Sequence, residues 1–82
     1  MIFEVIYRNK AAGDKKKRSL FLEKSSLPER AEVIDLLTRA TEGNFEEQSI
    51  EVQECSPIDI RVLRNLEIPV HRLNAAGQQA HG

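Results

Sequence analysis

Residues 49–70, SIEVQECSPIDIRVLRNLEIPV, decide the fold. Ile50 and Val52 alternate with Glu51 and Gln53, which is the period of a strand with one face in water. Ser56, Pro57 and Asp59 follow and spell a helix start: the serine side chain takes up a backbone N–H that has no partner in the first turn, and proline has none to lose. Ile58, Val62, Leu63 and Leu66 then form an apolar stripe, and Pro69 prevents the helix from running on. Ile58, Ile60 and Val62 also alternate, so a helix is the expectation over 57–66 and a strand its alternative. Val70 and Leu73 give a last short segment, with Pro69 where a strand's first residue can spare its N–H. If its two strands share a sheet, this strand–helix–strand unit is parallel, with a right-handed crossover.

Upstream, residues 2–8 (IFEVIYR) place Phe3, Val5 and Tyr7 on one face of a strand and Ile2 and Ile6 on the other. Apolar residues on both faces mark an interior strand, covered on each side or on one side by a second subunit. Residues 18–24 (RSLFLEK) repeat the pattern, with Leu20 and Leu22 opposite Phe21. The two strands read as a hairpin whose connection, Asn9 to Lys17, holds Gly13 and Asp14 and no large apolar residue. Ser26 and Glu29 then have capping-box spacing around Pro28. Val33, Ile34, Leu37 and Thr41 make the inward stripe of a first helix, Arg30, Glu32, Asp35 and Arg39 face water, and Gly43 supplies a left-handed cap. The expectation is one α+β domain over residues 1–73, with a small single sheet in β-β-α-β-α-β order. An N-terminal antiparallel hairpin is joined to a C-terminal β-α-β unit. The tail 74–82, of Gly, Gln and Ala without period, reads as disordered.

Composition sets outer limits. A chain of 82 residues supports one core. With 40% hydrophobic residues, 5% aromatics and no tryptophan, that core is aliphatic and leaves little for an enclosed pocket. Cys55 is the only cysteine, which excludes an intrachain disulfide and suits a reducing compartment. The N-terminus lacks the pattern of a signal peptide. Apolar runs of two or three residues fall far short of the roughly 20 that span a bilayer. A soluble, cytoplasmic chain is expected.

Charge is lopsided. Residues 1–18 hold six basic and two acidic groups, while residues 41–55 hold five acidic and none basic. Lys10, Lys15, Lys16, Lys17 and Arg18 gather on the hairpin loop, where they can meet an acidic protein surface or a phosphate backbone. Against these stands the plainer role of keeping a hairpin soluble. No aromatic beside the cluster is free to stack on bases, Tyr7 being assigned to the core. Glu42, Glu46, Glu47, Glu51 and Glu54 lack calcium-loop spacing and read as a solvated face. The two patches can also pair with each other, within one chain or between subunits.

Cys55 sits at a strand end just before a helix cap, where backbone N–H groups stabilise a thiolate. The order of strand, Cys55, helix and strand loosely resembles thioredoxin-like redox proteins. The resemblance implies thiol chemistry at Cys55, although Ile58 stands where their second motif cysteine falls. His71 and His81 have no ligand-type neighbours at metal spacing. No nucleotide-binding, hydrolase or zinc-protease motif occurs, so no enzyme activity and no cofactor is expected. The expected function is a small non-catalytic binding protein acting through a protein–protein contact, with self-association as one form. The alternatives are nucleic-acid binding through the basic loop and, third, thiol redox work by Cys55.

Overall fold

The computed structural model describes residues 1–10 and 16–72. The chain runs β1 (Ile2–Arg8), β2 (Lys17–Glu23), α1 (Arg30–Thr41), a 3-10 turn (Glu47–Ser49), β3 (Glu51–Glu54), α2 (Pro57–Asn65) and β4 (Val70–Arg72). This is the expected α+β order. Lys15, Leu73 and the tail 74–82 lie outside the described residues.

One mixed sheet has the order β3-β1-β2-β4. β1 is antiparallel to β2 and to β3, and β2 is parallel to β4. The interior position expected of β1 is therefore found. The C-terminal β-α-β unit takes a wider form than adjacent pairing would give. β3 and β4 point the same way but stand on opposite edges, with the whole hairpin between them. The connection from β2 through α1 to β3 steps across the sheet in one direction, and the connection from β3 through α2 to β4 steps back. Right-handed crossovers taken in opposite directions put their helices on opposite faces, and that is the arrangement here.

α1 covers the first face. Val5, Tyr7, Leu20 and Leu22 pack with Val33, Leu36, Leu37 and Phe45 into one core, aliphatic except for the rings of Tyr7 and Phe45, with Ile34, Ile50 and Val52 at its margin. Phe3 is buried on the same face. The inward stripe differs from the expected one by a residue: Leu36 is buried and Thr41 is not. Thr41 instead donates its hydroxyl proton to the carbonyl of Leu37 at 2.7 Å.

Both helix starts are capped, one of them later than expected. α1 begins at Arg30 with Glu29 as its cap, not at Ser26. Proline disfavours helical geometry in the residue before it, so Pro28 keeps Leu27 out of the helix and moves the start three residues on. Glu32 closes the turn by accepting the N–H of Glu29 at 3.0 Å. Far from facing water alone, Glu32 is also held by the Lys24 ammonium. At its C-terminus α1 uses two left-handed residues, Glu42 (φ 56°) and Gly43 (φ 80°).

α2 starts as expected. Ser56 Oγ accepts the N–H of Asp59 at 3.1 Å, and the Asp59 carboxylate accepts the N–H of Ser56 at 3.1 Å. That reciprocal pair selects helix over strand. Beyond the C-cap Leu66, the left-handed Glu67 (φ 55°) turns the chain, where Ile68 N–H reaches Leu63 O at 2.9 Å and Glu67 N–H reaches Arg64 O at 3.2 Å. This double bond pattern brings an apolar residue after the helix onto its last turn.

The Lys24 contact, followed by the N–H of Glu29, holds the Glu32 carboxyl below its ordinary 4.5. A carboxyl with a lower pKa when folded stabilises the fold above its unfolded pKa and loses that contribution as pH falls through the folded value. Urea midpoints should therefore fall as pH drops below 4.5. Glu32→Gln should lower the midpoint at neutral pH and flatten the acid limb. An unchanged limb would assign it to other carboxylates.

Candidate functional site

The second sheet face carries Ile2, Glu4, Ile6 and Arg8 of β1, opposite Glu23, Phe21, Ser19 and Lys17 of β2. Among the described residues only α2 covers it, and α2 is short. Nine residues make a helix of about 13 Å. The three strand spacings from β3 to β4 come to about 14 Å, so the helix is used up in crossing one end of the sheet. Leu63 is its single buried side chain. Leu63 and Ile68 divide two grooves beneath it, one reaching Ile2 and Glu23, the other reaching Glu4, Phe21, Cys55, Asp59 and Val62 with a volume of about 220 Å³. The other half of this face, with Ile6, Arg8, Lys17, Ser19 and Glu51, has no described helix over it. Lys17, Ser19 and Glu51 are exposed.

The apolar stripe expected to bury α2 does not do so. Ile58 is 74% exposed, Val62 48% and Leu66 66%. These residues are spaced by four, so they line up along one side of the helix. Leu63 and the half-buried Ile60 turn instead to the sheet. The stripe borders the groove through Val62. Contiguous apolar surface of this kind, rimmed by polar groups, marks a contact site more often than chance exposure does.

Carboxylates line the groove. Glu4 ties three strands together, accepting Ser19 Oγ–H at 2.7 Å and Gln53 Nε2–H at 2.7 Å. Cys55 is buried at the groove's back, its N–H donated to Ile2 O at 2.8 Å. Burial pushes its thiol up, and Glu4, Asp59 and Glu54 push it further. The helix start that favours a thiolate is thus outweighed by desolvation and three negative neighbours, which opposes the low thiol pKa that redox work requires. Cys55 should alkylate more slowly than free cysteine at pH 8 and as fast as free cysteine in urea. Faster reaction in the folded state would reverse this assignment.

The basic cluster is divided. Lys10, Lys16, Lys17 and Arg18 are exposed, and Lys15 lies outside the described residues. Lys17 stands opposite Arg8 on the second face, while Arg18 stands opposite Tyr7 on the face of α1. Lys10 N–H is donated to Asn44 Oδ1 at 3.1 Å. With its amide oriented to satisfy both neighbours, Asn9 accepts from Arg18 Nε at 2.9 Å. The two charged stretches do meet within one chain: Glu46 lies 4.0 Å from Arg8, and its N–H is donated to Arg8 O at 2.8 Å. Glu51 and Glu54 remain exposed along the β3 edge.

No family model, curated protein or solved structure matches this chain. Its function has to be argued from the surface itself. Among the described residues no helix is long and apolar enough to cross a membrane, and no three His, Cys, Asp or Glu side chains are grouped to hold a metal ion. The residues that reasoning from sequence missed are those of the α2 stripe: it named them, but assigned them to the core. Ile2 and Ile6 of β1, with Phe21 of β2, were the signals that this face needs a cover.

Proposed function

We propose that this chain is a non-catalytic, cytoplasmic binding protein that works through protein–protein contact. The contact is made by the outer stripe of α2 together with the uncovered half of the second sheet face. The exposure of Ile58, Val62 and Leu66 carries this reading. Burying one such side chain stabilises by about 1.5–3 kcal/mol, and a domain of this size has few large aliphatics to spare. The hairpin takes part through Ile6, Arg8 and Lys17, which share that face.

Nucleic-acid binding through Lys10, Lys16, Lys17 and Arg18 has less support. Lys17 and Arg18 project to opposite faces, and Glu46 sits beside Arg8, so neither face presents an undiluted positive field.

A photo-crosslinking residue at position 58, compared with one at exposed Asp35 of α1, tests the proposal in the cell that makes the protein. Protein adducts from position 58 and none from position 35 are expected. Equal yields, or none from either, would remove the α2 face as a contact surface.

A further inference from the structure

β3 stands at one edge of the sheet, and its outer side is unpaired. Cys55 donates its N–H to Ile2 O at 2.8 Å, and the antiparallel ladder alternates from there, so that Gln53 bonds Glu4 and Glu51 bonds Ile6. The N–H and C=O groups of Val52 and Glu54 therefore point away from β1, and among the described residues no strand lies beyond them. We infer that this edge takes up an extended, basic segment of a partner protein as a further strand. The surface is separate from the outer stripe of α2, so the inference goes beyond the proposed function and does not rest on it.

Three properties of the edge define its occupant. The free N–H and C=O groups of an edge strand are a template for another strand, with main-chain bonds supplying affinity and alternate side chains supplying choice. Val52 supplies an apolar position. It pairs with Val5 on the face of α1 and, like Ile50, packs against the core while only partly buried. An apolar side chain set opposite Val52 would close that margin.

Charge supplies the third property. Glu51 pairs with Ile6 on the face of α2 and Glu54 with Phe3 on the face of α1, so an exposed carboxylate stands on each side of the strand. Neither has an ion pair among the described residues. Two cations reach the chain that leads into β3, but Arg8 lies beside Glu46 at 4.0 Å and Arg30 donates to the carbonyl of Glu47 at 2.9 Å. Lysine or arginine opposite Glu51 and Glu54 would therefore meet unpaired carboxylates, and cross-strand pairs of opposite charge favour the joined strands. Two copies of β3 side by side would set glutamate near glutamate, which disfavours a second copy as occupant.

The test is amide NMR of the whole chain with a capped hexapeptide, Thr-Lys-Thr-Val-Lys-Thr, at about 1 mM, where even weak binding is visible. Laid antiparallel, it sets lysines opposite Glu54 and Glu51 and valine opposite Val52. The amide signals of Val52 and Glu54 should shift, and those of residues 58–66 should not. Glu51→Lys and Glu54→Lys change exposed side chains, so circular dichroism should be unchanged while binding weakens at least fivefold. Glu54→Pro removes an N–H that β1 does not use, and it should weaken binding more than Glu54→Gln does. Absence of shifts at Val52 and Glu54, or equal shifts from the peptide with glutamate in place of lysine, overturns the inference. Shifts confined to residues 58–66 overturn it too, while supporting the α2 face. A failed crosslink from position 58 would retire that face and leave the β3 edge standing.

Discussion

Leu22→Ala is expected to lower the stability of this domain by about 3 kcal/mol, within the 2–5 kcal/mol typical of a buried leucine cut back to alanine. Leu22 is fully buried in β2, opposite Phe3 of β1 and beside His71 of β4, on the face that α1 covers. The substitution removes apolar area and leaves a void that three neighbouring elements cannot all close at once. A domain of this length has a total stability of roughly 4–12 kcal/mol, so the loss is a quarter of it or more. Urea titration should show a lower midpoint with an unchanged slope. A loss below about 1 kcal/mol would mean that Leu22 does not stand at the centre of the core.

Leu63→Ala should cost about 2–4 kcal/mol, with an effect far more local. Leu63 is the single buried side chain of α2, and it also meets Ile68 where the chain leaves the helix. Removing it takes away the anchor of α2 while α1 keeps its hold on the opposite face. Amides of residues 60–66 should lose hydrogen-exchange protection by more than tenfold, and those of α1 should keep theirs. Val62→Ala, one residue earlier but 48% exposed, should stay within about 0.5 kcal/mol of wild type in the monomer. Equal losses in the two variants would show that Val62 is packed against the chain and not open to a partner.

The contrast between Leu63 and Val62 also shows how far the sequence could be followed. Strand periodicity, Pro57, Ser56 and Asp59 act over a few residues, so α2 and its cap were legible without coordinates. The misplacement of the α1 start has a local cause as well: Ser26 and Glu29 have capping-box spacing, but Pro28 keeps Leu27 out of the helix, so the helix starts later with Glu29 as its cap. The candidate site was harder to read. The apolar residues of α2 cover more of its circumference than one contact can use, and helical spacing says nothing about which part meets the sheet.

By itself, then, the sequence determined the elements, the cap of α2 and their order, because these depend on neighbours within about four residues along the chain. The tertiary structure alone decided that β3 and β4 lie on opposite edges, that the two helices take opposite faces, and that Ile58, Val62 and Leu66 are left outside. Those outcomes follow from sheet order and crossover handedness. A nine-residue helix stretched across four strands can cover only one end of them, and among the described residues no second helix lies over the other end.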